Sequence, residues 1–164
     1  MRVVIQKVKR AAVTVDSAVV SSIQKGLMVL VGISTSDTPA DVEKLLKKIV
    51  GLRLFEDLSM APETATKWYG KPWSKSLADD LALEILCVSQ FTLYGTVKKG
   101  SKPDFHRAAK GPEARQLYDS FLDQLRGALG THRVKDGEFG AMMDVELVND
   151  GPVTIVWDTQ KTEL

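Results

Sequence analysis

The first third of the chain carries short apolar segments separated by turn residues, a pattern typical of β-strands. Residues 2–8 are rich in valine and isoleucine, and 12–15 and 18–24 follow with Asp16-Ser17 between them. Residues 27–34 are almost continuously apolar, which indicates a central strand buried on both faces. We therefore expect a meander of short strands that leads into a central strand.

Two segments have apolar residues at helical spacing. In the first, Asp37 or Thr38 can act as the N-cap and Pro39 suits the first turn. Its apolar positions recur every three or four residues: Val42, Leu45, Leu46, Ile49 and Leu52. The second segment, 112–129, is also amphipathic. The sequence predicts a helix at each of these two places.

The remaining segments complete the predicted fold. Residues 56–80 contain scattered proline, glycine, serine and aromatic residues and predict a long mobile or functional loop. Residues 81–94 predict a strand, and 141–148 with 153–157 predict a closing hairpin. The whole pattern predicts a single α+β domain over 1–164, in which two helices cover a mostly antiparallel, strand-rich, barrel-like sheet.

Composition places the chain among globular proteins. Its 164 residues suit one domain, with 44% hydrophobic and 26% charged residues. The longest apolar run, 27–33, is far shorter than the ~20 residues that cross a bilayer, so we expect no membrane partner. The single cysteine, Cys87, fits a reducing compartment, and the N-terminus lacks the pattern of a signal peptide. We expect a cytoplasmic protein.

Charge is balanced overall but not locally. The 22 basic and 21 acidic residues give a net charge of +1, which does not indicate a dedicated nucleic-acid-binding protein. Residues 95–115 hold six basic against two acidic side chains, a local excess of +4. This cluster is either an ordinary solvated surface or a contact for an anionic ligand.

The usual catalytic and cofactor motifs are absent from the sequence. The two histidines, His106 and His132, lie in unrelated segments, and no metal-ligand spacing occurs. No glycine-rich phosphate-binding loop is present. Cys87 lies inside an apolar strand pattern, which is typical of a small core residue. We predict neither a metal nor a cofactor.

Polar residues follow the predicted strand that contains Cys87. Strand alternation places Ser89 and Phe91 on one face and Gln90 and Thr92 on the other. Ser89 and Thr92 can be neighbours only if the strand bends. Thr92 as a nucleophile would need a nearby base, and none is adjacent in sequence. A strand end whose hydroxyls satisfy backbone groups is the simpler interpretation.

The segment Asn149–Thr154 reads NDGPVT. Asp150-Gly151 between apolar runs predicts a hairpin turn. Pro152 is unusual there because it removes a ladder donor. On frequency alone the Gly151-Pro152 bond is expected to be trans.

Together, the SQFTL segment at 89–93 and the NDGPVT segment about 55 residues later resemble the paired signature motifs of the D-aminoacyl-tRNA deacylases, long called D-tyrosyl-tRNA deacylases. The similarity runs over nearly the whole chain. The stretches GKPWSKS at 70–76 and KPDFH at 102–106 look more like eukaryotic members than bacterial ones.

This resemblance implies a homodimer whose active site is shared between subunits. Gly151-Pro152, in a cis bond, would reach into the partner's pocket and act as a chirality filter. Ser89, Gln90, Phe91 and Thr92 match the catalytic pocket motif, with backbone N–H groups near Phe91 and Thr92 as oxyanion donors. The substrate would be the aminoacylated 3′ end of tRNA, hydrolysed at its ester with help from the ribose 2′-hydroxyl. Glycyl-tRNA should pass the same filter.

Three further features follow from the resemblance. Phe139 and Met143 match positions that pack against the terminal adenine, although ordinary core positions are the alternative. Lys7 stands where many members have an arginine, and lysine lacks the planar fork that can hold backbone carbonyls. The segment 58–69 is longer than in shorter bacterial members and is a candidate tRNA contact or lid.

Two other functions remain as alternatives. One is a non-catalytic nucleic-acid-binding protein, since an animal relative is associated with DNA replication origins. That role goes with a longer polar C-terminal tail, whereas this chain stops at Leu164. The other is a related deacylase with a trans Gly-Pro bond, which removes misattached L-amino acids.

Overall fold

The computed structural model describes residues 1–59, 70–98 and 100–161. Its main sheet has the strand order β2-β1-β3-β6-β7, and β8 pairs with the other edge of β1. A separate ribbon consists of β4 and β5. The elements are β1 Arg2–Val15, β2 Ala18–Ile23, β3 Gly26–Gly32, α1 Pro39–Gly51, β4 Phe55–Asp57, β5 Lys71–Lys75, β6 Glu84–Ser89, α2 Gly111–Leu129, β7 Val134–Asp136 and β8 Asp144–Asp158, with 3-10 helices at Phe91–Tyr94 and Thr131–Arg133.

The long strand β1 organises the sheet. It pairs with β3 through 2–8, with β2 through 11–15 and with β8 along its other edge, always antiparallel. Among the strands that the structure describes, only the β3–β6 and β6–β7 pairs are parallel. Ser21 on β2 donates to the Asp136 carbonyl of β7 at 2.6 Å, so the sheet nearly closes into a barrel. The predicted α+β architecture, with two helices on a mostly antiparallel sheet, is confirmed.

The two faces of the sheet pack into two apolar clusters. Val3, Ile5 and Cys87 belong to the larger cluster, which α1 and α2 cover. Val8 and Met28 belong to a smaller cluster on the other face. Five of the seven residues of β3 are hydrophobic and six are buried, so the predicted central strand is confirmed.

Helix α1 begins where the sequence predicts it. The Asp41 carboxylate accepts hydrogen bonds from the backbone N–H and the hydroxyl of Thr38, both at 3.0 Å. This arrangement is a capping box. Leu52 lies just after the helix ends and is the C-cap. Helix α2 begins one residue earlier than predicted, at Gly111.

The predicted strand over 81–94 is wrong at its end. Strand β6 stops at Ser89, and the chain turns at Gln90 into a 3-10 helix. The partner strand β3 ends at Gly32, so no ladder is available beyond that point. A Cβ at Gly32 would lie 3.1 Å from the Gln90 carbonyl oxygen, which shows how closely the turning chain crosses this glycine.

The predicted closing hairpin is also wrong, because 144–158 form one strand. Gln6 pairs with Thr154 and Val8 pairs with Asn149, so three extra residues of β8 bulge out of the ladder between them. In the same way 2–8 and 12–15 are one strand, β1. Each long strand offers the other a continuous edge, and this long-range pairing overrides the local Asp-Gly turn signal.

The predicted long loop over 56–80 contains a short antiparallel ribbon. Phe55 pairs with Lys75 and Asp57 with Lys71. Residues 60–69, including Trp68 and Tyr69, lie outside the described residues, and with them most of the 58–69 segment proposed as a tRNA contact or lid. None of the helices that the structure describes is both long and apolar enough to span a bilayer.

Glycine at position 26 is required by the close approach of β3 and β6. A Cβ there would lie 1.9 Å from the Glu84 carbonyl oxygen, whereas a Cβ at Gly51 would meet nothing within 4 Å. We expect Gly26→Ala to lower the free energy of unfolding by about 1–3 kcal/mol because the strands must move apart. Gly51→Ala, the matched control, should be neutral or stabilising by up to ~1 kcal/mol. Urea titration measures both, and equal midpoints for the two variants would contradict this packing.

Candidate active site

The SQFTL segment forms an exposed turn at the end of β6. Ser89 is half-buried, and Phe91 is 58% exposed. Phe91 and Thr92 open the 3-10 helix, and the first N–H groups of a helix have no acceptor within it. The N–H groups of Phe91 and Thr92 therefore have no acceptor within the helix.

The bend at Gln90 brings Gln90 and Thr92 together. The Gln90 side-chain amide donates to the Thr92 hydroxyl, so that hydroxyl accepts a hydrogen bond from a neutral group rather than giving its proton to a base. This contact does not activate Thr92 as a nucleophile.

Contacts from other elements hold the turn in place. Arg2 donates to the Leu93 carbonyl at 2.7 Å, and its guanidinium lies 4.7 Å from the Tyr94 ring centroid. Phe91 packs edge-to-face against Phe105 at 5.1 Å. Arg2 also bonds Asp158 at 3.2 Å, which links the turn to the end of β8.

The NDGPVT segment forms the bulge in β8. The Gly151-Pro152 bond is cis, and Gly151 has a φ of 116°, a region that favours glycine. Both residues are exposed. The side-chain amide of Asn149 donates to the carbonyls of Lys7 at 2.9 Å and Val153 at 3.0 Å. The bulge is therefore closed at its base, with Gly151 and Pro152 at its tip.

Lys7 lies buried beneath this bulge, with 2% of its surface exposed. Its Nζ is 2.5 Å from Glu56 Oε2 and 3.6 Å from Asp150 Oδ2, and it lies 5.6 Å from the Phe55 ring centroid. Lys7 thus contacts the bulge through the carboxylate that precedes Gly151. The sequence alone did not single out Glu56 as its partner, because the two residues are 49 positions apart.

Glu56 is held in its charged form. Burial alone would raise its pKa, but the hydrogen bond from Lys7 and the nearby charges of Lys25 and Lys7 lower the pKa below the ordinary value of 4.5. Lys25 lies 3.3 Å from the other carboxylate oxygen. The bulge is thereby anchored to a network of two lysines and two carboxylates.

Phe139 and Met143 pack against different clusters. Phe139 lies on the larger cluster, 5.6 Å from the Tyr118 ring, with the Arg115 guanidinium 5.6 Å above it. It lines a cavity of about 1060 Å³ along α2. Met143 packs on the smaller cluster, and its sulfur lies 3.3 Å from the Glu138 nitrogen. Of the two, only Phe139 borders this cavity.

The two motifs lie far apart within one chain. Ser89 pairs with Val31, which pairs with Val3, whereas the bulge lies opposite Lys7. Three strand spacings across the sheet and four residues along it give a separation of about 20 Å. The two motifs of one chain are therefore not adjacent along its sheet.

Cys87 precedes the SQFTL turn by two residues, and His106 follows Phe105, which packs against that turn. Cys87 is fully buried, and burial raises the pKa of its thiol far above the ordinary value, so the reactive thiolate does not form there. His106 pairs with Asp104 at 2.5 Å on an exposed loop. Over 1–59, 70–98 and 100–161, no three His, Cys, Asp or Glu side chains cluster as metal ligands.

Comparison with known proteins agrees with the motifs. A family model described as D-Tyr-tRNA(Tyr) deacylase matches residues 4–158. The chain belongs to this family. Two relatives called D-aminoacyl-tRNA deacylase are 52% identical in Eremothecium gossypii, over 98% of this chain and all of the relative, and 56% identical in Drosophila melanogaster, over 94% and 90%. The resemblance is confirmed, and so is the prediction that the chain is a hydrolase.

Two solved structures share the fold of this family member. One, named as a c-Myc DNA Unwinding Element Binding Protein, is 49% identical with a TM-score of 0.85 and covers 96% of this chain and 98% of its own. The other, described as a probable eukaryotic D-amino acid tRNA deacylase, is 22% identical with a TM-score of 0.79, over 95% and 97%.

The Lys7–Glu56 contact makes a pH-dependent contribution to stability. Glu56→Gln should lower the free energy of unfolding at pH 7 by roughly 1.5–3 kcal/mol, because a charge-assisted hydrogen bond is lost. Since the pKa of Glu56 is lowered by folding, this difference is present above the ordinary carboxyl pKa and disappears as pH falls through the folded value. Denaturant titration at pH 7 and pH 3 measures the difference.

The matched control is Lys25→Gln, which removes the more exposed partner of the same carboxylate. Its cost should be about 1 kcal/mol or less, as for other surface ion pairs. A Glu56→Gln difference that persists unchanged at pH 3 would contradict the assignment.

Proposed function

We propose that the chain hydrolyses the ester bond between a D-amino acid and the 3′ end of tRNA, and that it also accepts glycyl-tRNA charged on the wrong tRNA. Family membership supports the reaction class. The observation that carries the proposal is the structure of the two motifs: one is a turn whose first two amides have no acceptor within its helix, and the other is a closed bulge with Gly151-Pro152 at its tip. The reaction would take place in the cytoplasm, where the tRNA substrate is found and a free thiol at Cys87 is compatible with the reducing conditions.

Selection between D- and L-esters is assigned to the backbone of Gly151 and Pro152. The two esters differ only in which position on Cα carries the side chain. A fixed backbone surface against one of these positions admits hydrogen and excludes carbon. Because the side chain of a D-residue then points elsewhere, many D-amino acids pass, and so does glycine.

The proposed reaction uses water rather than a protein nucleophile. Water attacks the ester carbonyl carbon, and the N–H groups of Phe91 and Thr92 stabilise the oxyanion. The bond from the carbonyl carbon to the ribose O3′ then breaks, and O3′ takes up a proton. The ribose 2′-hydroxyl orients the water and relays this proton, so neither Thr92 nor Cys87 has to form an acyl-enzyme. Ser89 and Gln90 shape the pocket.

The active site is proposed to form between two copies of the chain. The separation of about 20 Å within one chain supports a site in which the bulge of one subunit meets the turn of its partner. An incompletely covered sheet face lies next to the bulge: Val4 and Thr154 are partly or fully exposed, and Val156 is 49% exposed. Through its contact with Asp150, Lys7 would position the bulge of one subunit against the turn of the other.

The terminal adenine is assigned to the region of Phe139 and Met143, since bases are bound by aromatic and apolar side chains. The cavity of about 1060 Å³ beside Phe139 has room for a nucleobase, and Arg115 stacked on the ring adds a charged edge. We propose that residues 1–164 act as a single deacylase domain.

A second candidate is binding of DNA without catalysis. The observation that favours it is the similarity, at 49% identity, to a solved structure named as a DNA unwinding element binding protein. The third candidate function is that of a deacylase that removes misattached L-amino acids from tRNA. Ester hydrolysis assays separate all three functions.

We expect the purified protein, without added metal, to release D-tyrosine from D-tyrosyl-tRNA and to leave the L-ester intact, because the Gly151-Pro152 backbone excludes L side chains. Thin-layer analysis of the released amino acid measures both rates. Equal rates for the two esters, or preference for the L-ester, would contradict the filter. Binding of DNA with no hydrolysis of either ester would establish the second candidate.

Variants in the same assay test the mechanism. Thr92→Ala and Cys87→Ala keep every proposed donor and should retain most activity. Phe91→Pro removes one N–H at a helix position that tolerates proline and should lower kcat about 100-fold or more. Phe91→Ala controls for loss of the ring. Trapping of an acyl-enzyme on Thr92 would overturn the water mechanism.

Assembly gives an independent prediction. The wild-type protein should sediment as a dimer, and Val156→Asp should produce a folded, inactive monomer because a carboxylate cannot be buried unpaired in the interface. The control is Leu81→Asp, at a 78% exposed apolar residue outside that sheet face, which should remain an active dimer. A monomer of wild-type activity would refute the shared site.

A further inference from the structure

A basic groove lies between α1 and the end of β8, away from both motifs. It has a volume of about 540 Å³. Its charged lining consists of Lys44, Lys47, Lys48, Arg53 and Lys161, and Trp157 forms one wall. Among the residues that the structure describes, no acidic one lines it, although the chain as a whole carries a net charge of only +1.

The positive charge of this groove is largely uncompensated. Within the part of the chain that the structure describes, none of the five side chains forms a salt bridge within 4.0 Å. Arg53 has one acidic neighbour: hydrogen bonds from Ser76 lower the pKa of Asp79, and the charge of Arg53 lowers it further. The four lysines therefore present an attractive surface for an anion.

Two contacts fix the geometry of the groove. Lys48 Nζ lies 5.5 Å from the Trp157 ring centroid, close enough for a cation–π interaction. Lys44 donates to the Thr159 carbonyl. Lysines near the end of a helix also interact favourably with its dipole, but that effect does not account for Lys161 or for the aromatic wall.

Trp157, one wall of the groove, belongs to the same strand as the bulge, β8. Trp157 and Pro152 are five residues apart on β8, which corresponds to about 17 Å. The groove is therefore within reach of a tRNA whose 3′ end lies at the Gly151-Pro152 tip. Phosphates are the anions that such a ligand would present along its length.

We propose that this groove binds the phosphate backbone of the acceptor arm of the tRNA substrate. The proposal rests on the proposed function and adds the surface that holds the RNA. The lysines neutralise backbone phosphates without reading sequence, so the same groove serves tRNAs of different sequence.

The experiment compares two double variants with wild type. Lys47→Gln/Lys48→Gln removes two exposed charges from the groove. Lys98→Gln/Lys102→Gln removes two exposed charges from the other basic segment, 95–115. Each protein is assayed on full-length D-tyrosyl-tRNA and on the D-tyrosyl ester of a CCA trinucleotide, from 50 to 300 mM salt, and circular dichroism checks that each is folded.

For Lys47→Gln/Lys48→Gln we expect KM for full-length tRNA to rise roughly five- to tenfold with kcat unchanged, and the slope of log KM against log salt concentration to fall by about 2. Rates on the trinucleotide ester should equal those of wild type, because that substrate does not reach the groove. The second double variant should keep KM within about twofold.

The outcomes separate the two proposals. If wild type hydrolyses neither substrate, the proposed function fails. If wild type is active and Lys47→Gln/Lys48→Gln has wild-type KM and salt slope, the groove does not bind the RNA. The groove proposal would also be overturned if KM for full-length tRNA rose only in Lys98→Gln/Lys102→Gln. The same holds if Lys47→Gln/Lys48→Gln lost as much activity on the trinucleotide ester as on full-length tRNA.

Discussion

Two hydrogen bonds from the side-chain amide of Asn149, to the carbonyls of Lys7 and Val153, close the gap where β8 leaves its ladder with β1. Ladder pairing stops at Gln6 and resumes at Val8, so without Asn149 the Lys7 carbonyl would lose its partner in a partly buried region. Such a loss costs free energy comparable to a hydrogen bond. Because the gap is closed, the strand can carry a fixed protrusion and still pair with β1 on both sides of it.

The charge network below the bulge adds a second constraint. A lysine as buried as Lys7 is stable only if carboxylates compensate its charge, and Glu56 and Asp150 do so from two different elements. Lysine places a single point charge there, whereas an arginine would present a planar fork. In this chain the bulge is therefore held through the Asp150 carboxylate and the Asn149 amide.

Both motifs present backbone groups rather than reactive side chains. In the turn after β6, the first two amides of the 3-10 helix have no acceptor within it, and the bulge carries the Gly151-Pro152 backbone at its tip. The hydroxyl of Thr92 accepts a hydrogen bond from the side-chain amide of Gln90. The proposed reaction needs neither a catalytic triad nor metal ligands, and the sequence has no motif for either. If Gly151 and Pro152 select the substrate as proposed, selectivity depends on positioning, and the residues that matter most for it are those that hold the bulge and the turn in place.

Local signals in the amino-acid sequence were enough to predict the capped helix from Pro39, the amphipathic helix ending at Leu129, and the buried central strand β3. Two short motifs were also enough to predict the family. The folded chain was needed to show that β1 and β8 are continuous, that β6 ends at Ser89 and that Lys7 meets Glu56. The physical reason is range: caps and helical spacing act over a few residues, whereas strand pairing and burial of charge depend on partners distant in sequence, which override a local turn signal such as Asp150-Gly151.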